Sequence, residues 1–556
     1  MCQQTTKLII IADSTVEPIK NHLLQFDEKI AVDFAPFNQV IPTLLSEKLK
    51  EYTLAVILSS LEKISPAFSD FLESSQCDMD KIVADVREFC SAIKHSSNKV
   101  DRVIVYNWIK PRWHIDNLLT GWEPESAGID YIVSFANYTL AHELKESGNI
   151  SVIEQTSILL NTNNMTFDPK LWAMGKIQYS SFSFEELAGQ IFSFVRAATG
   201  KSIKLIAVDF DNTLWGGLVG EVGWENIKLG GTDPIGESFV LFQKQLKLLK
   251  NRGILLAAVS ANDEQTALEA IDNHPEMILK RDDFVTWRIN WNSKADNIRE
   301  IAEQVNIGLH SIVFIDDMPE QRNLVREVLP EVLVPEWPVD PVMYPYALKK
   351  LYCFEQFHFT DEDKKRTKMI REEQKRRESL SKNVSHQDWL KNLNVNVKFE
   401  KIGKANLARA VQLLNRTNQF NLKTRRMSNE SFIRWLNEKD ERLAYAVCAS
   451  DKFGEYGLIG VLSLEHEGQE LRLTDFLVSC RVLGRGVEQA ILAFAAQKAE
   501  ETKTEKITAE FIPTKKNKPM RDFLEKSADK YEENLFVFYP QNHNYPEHIT
   551  KEITDE

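Results

Sequence analysis

Short apolar runs separated by helical patterns recur through the first third of the chain. Residues 8–12, 54–58 and 103–106 are continuous apolar runs of strand length. Between them apolar residues recur at helical spacing, for example over residues 82–93. Continuous apolar runs are typical of strands that are buried on both faces. Their alternation with helices predicts an α/β layer fold with parallel strands.

Further apolar runs lie between residues 205 and 315, and polar side chains suited to chemistry follow them. In open α/β sheets, ligands bind outside the carboxyl ends of the strands, so we expect these side chains to meet at one site. They are Asp209, Asp211 and Thr213 after the first run, Ser260 after the second, Lys294 in the first turn of a later predicted helix, and Asp316 with Asp317 after the last run.

Asp209 and Asp211 stand one residue apart where the first of these strands ends. Two carboxylates so close repel each other unless a cation or a shared proton relieves them. A hard cation such as Mg²⁺, which prefers oxygen ligands, suits the pair. Thr213 adds a hydroxyl for an anionic substrate, and Gly216 and Gly217 let the backbone turn away tightly. The alternative for this stretch alone is an acidic strand-to-loop turn without chemistry.

Ser260 and Lys294 have a functional and a structural interpretation each. Ser260 precedes a predicted helix, where it would either hold a phosphate with the helix N-terminus or only cap that helix. Lys294 stands near a helix N-terminus, which is unfavourable for a cation and indicates an anionic partner. A solvated surface lysine is the alternative.

The ordered set of acid pair, hydroxyl, lysine and second acid pair resembles the four motifs of the haloacid dehalogenase (HAD) phosphotransferase superfamily. The resemblance implies a HAD Rossmann-like core over residues 199–350, in which Asp209 attacks phosphorus and forms an aspartyl-phosphate. Asp211 would protonate the leaving group and then activate the acceptor. It further implies that the phosphoryl oxygens are held by Thr213, Ser260 and Lys294. The groups that it implies for Mg²⁺ binding are Asp209, the backbone carbonyl of Asp211, Asp316 and Asp317.

The spacing of the motifs bears on the substrate. Only about 40 residues separate the first motif from the second, which is too few for a cap domain. The gap from the second motif to the third is no longer. We therefore expect an open site, suited to a large or carrier-borne substrate, with the loop 216–231 and its Glu221 and Trp224 as a flap.

The run Asp-Asn-Thr-Leu-Trp-Gly-Gly at 211–217, followed by Gly-Glu-Val-Gly at 220–223, resembles the FkbH-like family, HAD subfamily IIIC. Members of that family are associated with making glyceryl thioesters of carrier proteins from a glycolytic acyl phosphate. Related members accompany surface-polysaccharide genes. The resemblance implies a small-molecule phosphate substrate and a phosphopantetheine thiol, on an acyl carrier protein or coenzyme A, as the acyl acceptor.

The N-terminal region, residues 1–198, carries a second resemblance. Asp13-Ser14 after the first strand resembles the start of SGNH hydrolases, which implies an SGNH- or flavodoxin-like α/β domain with Ser14 as nucleophile. Ala12 replaces the usual glycine, and no clear Asp-x-x-His stands late in the region to supply a base. We therefore expect a degenerate domain. A serine at a strand end is more often a helix cap than a catalyst, and we expect the same of Ser14.

The last third of the chain divides into a charged segment and a further domain. Residues 351–394 include a stretch dense in charged residues from 360 to 378, which predicts a solvated helical linker. Strand and helix patterns restart at about 395 and predict an α+β domain over 395–556.

Arg-x-x-Gly-x-Gly at 481–486, between a predicted strand and a predicted helix, resembles the pyrophosphate loop of GNAT acyltransferases. The resemblance implies acyl or pantetheine binding by Arg481, Gly484 and Gly486, and Cys480 stands directly before this loop. Cys480 would be a thiol that carries an acyl group, activated by the helix N-terminus. A small buried residue at a strand end is the alternative.

Composition excludes some classes of protein. The net charge of −13 argues against broad nucleic-acid binding, which requires phosphate neutralisation. The six cysteines form no C-x-x-C pair, so neither a zinc ribbon nor a disulfide framework is indicated. The apolar run at 8–12 is too short for a signal peptide or a membrane span, and we expect a cytoplasmic protein.

Three functions remain open from the sequence. The first is a Mg²⁺-dependent HAD phosphatase or phosphotransferase coupled to acyl transfer. The second is a stand-alone phosphatase that acts on a sugar or acyl phosphate. The third, a carrier-binding scaffold without catalysis, fits poorly with an intact set of Asp209, Asp211, Lys294 and Asp316.

Overall fold

The computed structural model describes residues 7–27, 30–74, 76–115, 119–123, 128–160, 166–231, 233–357, 366–381, 386–514 and 516–554. The chain divides into two compact units, Met1–Lys250 with Ile254–Phe359 and Asn251–Gly253 with Thr360–Glu556. The first unit holds two parallel sheets and the second holds one mixed sheet. No helix among the described residues has the length and apolar character needed to cross a membrane.

The N-terminal sheet is parallel and has the strand order β2-β1-β3-β4-β5, which is the flavodoxin-like order. Alternate residues of β1 contact two different cores, Ile9 and Ile11 on one face and Leu8 and Ile10 on the other. The strands are β1 Lys7–Ala12, β2 Ala31–Phe34, β3 Leu54–Leu58, β4 Arg102–Tyr106 and β5 Ile150–Ile153. β2 lies on one side of β1 and β3 lies on the other, so the order of the strands reverses at β1. The ligand crevice expected for such sheets lies at that point.

Helices cover both faces of this sheet, as the alternating pattern predicts. They are α1 Ile19–Phe26, α2 Val40–Leu45, α3 Leu61–Ile64, α4 Pro66–Ser74, α5 Met79–Ser97, α6 Ile129–Leu144, α7 Thr156–Leu160, α8 Pro169–Gly175 and α9 Ser181–Ala198.

The second sheet of the first unit is also parallel, with the order β8-β7-β6-β9. Its strands are β6 Leu205–Val208, β7 Leu255–Ser260, β8 Phe284–Ile289 and β9 Ile312–Ile315. Its helices are α10 Val219–Val222, α11 Pro234–Asn251, α12 Glu264–Asn273, α13 Lys294–Val305, α14 Pro319–Val328 and α15 Tyr344–Lys349. Because β7 and β9 flank β6, their carboxyl ends bring the predicted acid, hydroxyl and second acid motifs to one edge.

The core around this sheet extends beyond residue 350. Cys353 and Phe354 are buried in it, and the Cys353 carbonyl accepts a hydrogen bond from the Ile203 amide at 2.9 Å. The start of the predicted linker at 351 is therefore wrong, because apolar residues there complete the core of the preceding domain.

The second unit contains a mixed sheet with the order β15-β16-β14-β13-β12-β11-β10-β17. Its strands are β10 Val395–Lys401, β11 Arg442–Asp451, β12 Gly454–Glu467, β13 Glu470–Val478, β14 Lys506–Glu510, β15 Lys530–Glu532, β16 Leu535–Phe538 and β17 Ile549–Thr554. Its helices are α16 Arg366–Ser381, α17 His386–Leu393, α18 Leu407–Arg416, α19 Asn429–Asn437, α20 Val487–Glu501 and α21 Lys518–Ser527. Helices and a mostly antiparallel sheet agree with the α+β pattern that the sequence predicts.

Helix α16 corresponds to the predicted solvated linker, and that prediction is wrong for its Arg376. This side chain is only 2% exposed, and its Nε and Nη2 atoms donate to Asp451 at 2.7 and 2.9 Å. Its guanidinium also lies 4.0 Å from the centre of the Tyr456 ring. The charge-rich sequence around Arg376 does not indicate this contact, because its partner Asp451 lies far along the chain.

Candidate active site

Backbone geometry at the end of β6 places the first acid motif. The Asp209 amide donates to the Ile315 carbonyl of β9 at 3.0 Å, so the sheet pairing continues to this residue. The chain then turns, because Asn212 adopts a left-handed conformation with φ 53°. Asparagine tolerates this conformation better than most residues. Thr213 and Leu214 amides close the turn on the Phe210 carbonyl.

Lys294 lies between two of the predicted carboxylates. Its Nζ atom is 2.5 Å from Asp316 Oδ2 and 3.0 Å from Asp209 Oδ1. All three side chains are buried, Lys294 at 4% exposure. Burial opposes the charge of Lys294, yet the two carboxylates outweigh it and hold the pKa of Lys294 above its ordinary value. Lys294 is therefore a fixed buried cation rather than a solvated surface lysine.

Asp317 is the third carboxylate of the cluster. Burial, with the charges of Asp209 and Asp316, raises the pKa of Asp317 to about 6. Its amide donates to the Thr213 hydroxyl at 3.2 Å, and that hydroxyl lies 3.4 Å from Asp317 Oδ1. Thr213 is fully buried and ties the two acid motifs together. Its predicted contact with a phosphoryl oxygen stays a prediction.

Three donors orient Asp211. Its Oδ1 accepts from Trp215 Nε1 at 2.9 Å and from the Val219 amide at 3.1 Å, and its Oδ2 accepts from Asn262 Nδ2 at 3.0 Å. Burial, only partly offset by these hydrogen bonds, raises the pKa of Asp211 above its ordinary value. The side chain is thus held in one orientation, and its pKa is shifted in the direction that suits a general acid.

Asn262, for which the sequence predicts no role, also contacts Ser260. The same Nδ2 atom that donates to Asp211 lies 3.1 Å from Ser260 Oγ, and both side chains are buried. Asn262 thereby joins the hydroxyl motif to the acid motif. The signal that could have indicated it was its position directly after the Ser260 strand end.

Arg322 is a second residue that the sequence analysis missed. Its buried Nη1 atom donates to the carbonyl oxygens of Asp316 and Asp317 at 2.9 and 2.7 Å. The guanidinium therefore fixes the backbone that carries both carboxylates. Its place on α14, one turn after these acids, was the available signal.

The carboxylate cluster fits a divalent metal ion. Oxygen atoms of Asp209, Asp316 and Asp317 all lie within 4.8 Å of one another. Asp209 Oδ1 is buried and accepts no hydrogen bond of good geometry from the described residues, although Lys294 Nζ is close. A hard cation would satisfy that oxygen and relieve the repulsion between three carboxylates.

The flap that the sequence predicts is anchored at both ends. Gly216 and Lys228 exchange backbone hydrogen bonds of 3.0 and 2.8 Å. The Gly217 amide, at φ 100°, donates to Asn212 Oδ1 at 2.9 Å. Between these contacts the exposed Leu218 side chain directly precedes α10. The described residues between β6 and β7 form only this flap and α11, as expected for a site without a cap.

Ser14 lies at the carboxyl end of β1, as predicted, but in a different setting from that of a nucleophile. Its hydroxyl donates to Gln178 Oε1 at 3.1 Å. Asp13 Oδ2 accepts from the amide and the hydroxyl of Ser60, both at 2.6 Å. No histidine of the described residues is hydrogen-bonded to Ser14. The degenerate domain that the sequence predicts stays a prediction, and catalysis at Ser14 stays its alternative.

The predicted pyrophosphate loop has an internal partner for one of its amides. The Gly484 amide donates to Glu488 Oε1 at 2.6 Å, so a buried carboxylate lies at the helix start. A Cβ atom on Gly486 would lie 2.7 Å from His548 Nε2.

Cys480 is exposed, which excludes the buried alternative for it. Nε of Arg481 donates to Ser479 Oγ at 3.2 Å. Ligand binding by this loop stays a prediction.

No protein-family model and no curated protein matches the chain. Several solved acetyltransferases match about a quarter of the chain. The ribosomal-protein-S18-alanine N-acetyltransferase of Escherichia coli has 12% identity and a TM-score of 0.20, over 26% of this chain and 93% of that one. The IAA acetyltransferase of Bacillus cereus has 17% identity and a TM-score of 0.18, over 25% and 79%. Likeness this low supports no conclusion.

The fold and the site define an α/β protein with a buried carboxylate–lysine centre at the carboxyl edge of a parallel sheet. The chain resembles the N-terminal part of the protein BF1531 from Bacteroides fragilis, a structure described as containing a phosphatase domain and complexed with Mg. Identity is 32% with a TM-score of 0.57, over 64% of this chain and 95% of that one. This chain belongs to the same protein family as BF1531.

Proposed function

We propose that the chain is a Mg²⁺-dependent HAD-type phosphatase or phosphotransferase. The observation that carries the proposal is the buried Lys294 between Asp209 and Asp316, with Asp317 completing three clustered carboxylates. The Mg-complexed phosphatase domain of BF1531 supports the same assignment. A scaffold protein has no need to bury this many charges, because each costs free energy to desolvate.

In the proposed reaction a carboxylate oxygen of Asp209 attacks phosphorus, and the bond from phosphorus to the leaving oxygen breaks. The proton of Asp211 moves to that leaving oxygen. Asp211 then removes a proton from water or another acceptor, which attacks the aspartyl-phosphate and restores Asp209. The raised pKa of Asp211 supports its role as the acid in the first step.

Asp209, Asp316 and Asp317 would hold Mg²⁺, which supplies positive charge to offset the charge on the phosphoryl group. Lys294 supplies a further positive charge beside Asp209. Ser260 and Thr213 would bind phosphoryl oxygens. Asn262 and Arg322 act through other residues, Asn262 by orienting Asp211 and Arg322 by fixing the backbone of Asp316 and Asp317.

A phosphate-release screen tests this proposal. The substrates would include glycolytic acyl phosphates and sugar phosphates, each with Mg²⁺ and with a chelator. We expect release only with Mg²⁺, and loss of release in Asp209→Asn. Asp263→Asn is the matched control, because Asp263 caps α12 close to Ser260 and lies outside the carboxylate cluster. Equal release by wild type and Asp209→Asn would refute the proposal.

A coupled acyl transfer to a phosphopantetheine thiol, on an acyl carrier protein or coenzyme A, is the finer form of this proposal. The exposed thiol of Cys480 beside the predicted loop favours it. The Glu488 carboxylate on the Gly484 amide opposes phosphate binding at the same helix start. Mass spectrometry of an acylated carrier, compared between wild type and Cys480→Ala, tests it. Transfer that is unchanged in Cys480→Ala would remove the role proposed for this thiol.

A further inference from the structure

The two carboxylate oxygens of Asp211 differ in how many hydrogen bonds they accept. Oδ1 accepts from Trp215 Nε1 at 2.9 Å and from the Val219 amide at 3.1 Å. Oδ2 accepts from Asn262 alone among the described residues, at 3.0 Å. A carboxylate oxygen has room for about two such bonds, so Oδ2 is the oxygen that can hold a proton and pass it to a substrate. In the proposed reaction the leaving group therefore lies on the Oδ2 side of Asp211, next to Asn262.

Gly220 of α10 lies on this side of Asp211. It directly follows Val219, whose amide holds Asp211, and a Cβ atom on residue 220 would lie 4.0 Å from Asn262 Oδ1. Outside α10 and its neighbours along the chain, no other atom of the described residues lies within 4 Å of that position. Gly220 is also exposed. The smallest residue of α10 thus lies between solvent and Asn262.

The backbone at residue 220 does not require glycine. Gly217 and Gly223 on either side adopt left-handed φ angles of 100° and 75°, whereas Gly220 does not. Glycine inside a helix is less favourable than alanine. A Cβ atom at 4.0 Å from Asn262 would make an ordinary contact and no clash. Neither backbone geometry nor packing explains this glycine, and what it provides is open space beside the leaving-group side of Asp211.

Exposed apolar side chains flank Gly220. Leu218 and Val222 are both exposed, and the Val222 amide donates to the Leu218 carbonyl at 3.1 Å, which brings residues 218 and 222 to one turn of the chain. We call Leu218, Gly220 and Val222 the α10 surface. Two more exposed apolar side chains follow neighbouring strands at the same edge of the sheet, Trp291 after β8 and Met318 after β9. Apolar side chains that are exposed around a polar centre are typical of sites that bind organic ligands.

We propose that the leaving group of the substrate passes α10 at Gly220 and that an apolar part of it contacts Leu218 and Val222. The substrate class is then a phosphate whose leaving group is bulky and apolar, in preference to a small or polar one. This inference rests on the proposed function, because it places the leaving oxygen at Asp211. The α10 surface selects the substrate and takes no part in the transfer of the phosphoryl group.

The test compares phosphate release, with Mg²⁺, from three substrates. Benzyl phosphate and glycerol phosphate are both esters of primary alcohols, so they differ mainly in the apolar character of the leaving group, and acetyl phosphate has a small leaving group. We expect wild type to have a kcat/KM for benzyl phosphate at least about tenfold above that for glycerol phosphate, as burial of part of the ring predicts.

Two substitutions test the two parts of the α10 surface. Leu218→Ser should lower kcat/KM for benzyl phosphate about tenfold, mainly through KM, and should leave glycerol phosphate unchanged. Gly220→Leu fills the open space and should lower kcat/KM for benzyl phosphate at least about tenfold, with acetyl phosphate nearly unchanged. Gly220→Ala adds a single carbon that fits without a clash, so it should fold as wild type does and have an effect of the same sign but smaller.

Two exposed positions outside the site provide matched controls. Leu248→Ser replaces an exposed leucine of α11. Gly403→Leu replaces an exposed glycine that also lacks a left-handed φ, and whose Cβ would meet no atom of the described residues within 4 Å. Both variants should keep all three values of kcat/KM. Circular dichroism verifies that each variant is folded.

Binding of two phosphonates separates this inference from the proposed function, because their carbon–phosphorus bond is not hydrolysed. We expect wild type, studied by calorimetry with Mg²⁺, to bind benzylphosphonate at least about tenfold more tightly than methylphosphonate. Leu218→Ser should remove most of that difference.

The outcomes distinguish the two claims. Phosphate release with no preference for benzyl phosphate, or a preference that folded Leu218→Ser and Gly220→Leu both keep, would overturn the inference and leave the proposed function standing. Absence of release from every substrate would count against the proposed function. In that case a preference for benzylphosphonate that depends on Leu218 would still support an apolar ligand at the α10 surface, and equal binding of the two phosphonates would overturn it.

Discussion

The Nζ atom of Lys294 lies 3.0 Å from Oδ1 of Asp209, and both side chains are buried at the carboxyl edge of the second parallel sheet. That oxygen accepts no hydrogen bond of good geometry from the described residues. The lysine therefore offsets the charge of Asp209.

Replacing Lys294 tests this relationship. Lys294→Met removes the buried positive charge, and we expect phosphate release to fall by about 10²–10³-fold. The remaining carboxylates would repel one another more strongly, and Mg²⁺ would relieve that repulsion, so the variant should also need less Mg²⁺ for half-maximal activity. Lys244→Met, an exposed lysine of α11, is the control and should leave both quantities unchanged. Activity within a factor of two of wild type, an approximate threshold for a minor effect, would contradict the role of Lys294.

Asn262 is expected to set the protonation of Asp211. Its hydrogen bond favours the ionised carboxylate, so Asn262→Ala should raise the pKa of Asp211 further. We expect the limb of the pH–rate profile that reports Asp211 to move to higher pH. The maximal rate should fall about tenfold to hundredfold as the orientation of Asp211 is lost. A lower rate with an unmoved profile would mean that Asn262 is only structural. Asn273→Ala, an exposed asparagine of α12, is the matched control.

Asp317 makes the stability of the metal-free protein depend on pH. Its pKa of about 6 in the folded chain exceeds the ordinary value of 3.8, so the folded state holds a proton that the unfolded state has released. The melting temperature should therefore fall as the pH rises between about 4 and 6. Buried Asp211 and Asp316, whose pKa values are also raised, act in the same direction.

Mg²⁺ should reverse this trend, because it binds the deprotonated carboxylates. The rise in melting temperature on adding Mg²⁺ should be larger at about pH 7 than at about pH 5. Asp317→Asn should flatten the pH dependence and reduce the effect of Mg²⁺. A Mg²⁺ effect that grows as the pH falls would contradict the assignment of this cluster as the metal site.

The buried ion pair of Arg376 and Asp451 is expected to hold α16 on the C-terminal sheet. Arg376→Met leaves Asp451 buried without its partner and should lower the free energy of unfolding by about 3–5 kcal/mol. The double variant Arg376→Met with Asp451→Asn should recover part of that loss. Lys375→Met on the same helix is exposed and should have little effect. Urea unfolding measures all three, and equal stability of Arg376→Met and wild type would show that the pair is dispensable.

The sequence predicts the parallel sheets and the carboxylate cluster because both depend on local pattern. A continuous apolar run predicts a buried strand, and the polar residue that ends it marks the edge where ligands bind. Asp209, Ser260 and Asp316 each follow such a run and lie at one edge of the sheet. The position of Lys294 at a helix start is unfavourable for a cation, and this predicts an anionic partner for it.

The contacts that orient these residues could not be predicted, because they join parts of the chain that only the fold brings together. Asn262 contacts Asp211 across two strands, and Arg322 reaches the carbonyls before its helix. Arg376 resembled a solvated residue because its partner Asp451 lies in a strand far along the chain. A pattern of charges shows their number, and not which of them the fold will bury.

Trapping of a phosphorylated enzyme tests the central claim most directly. The protein would be mixed with Mg²⁺ and a substrate found in the phosphate-release screen, quenched in acid, and digested for mass spectrometry. We predict one added phosphoryl group on the peptide that contains Asp209, absent without Mg²⁺ and absent in Asp209→Asn. Turnover of substrate with phosphate on another residue, or with continued turnover by Asp209→Asn, would contradict the account.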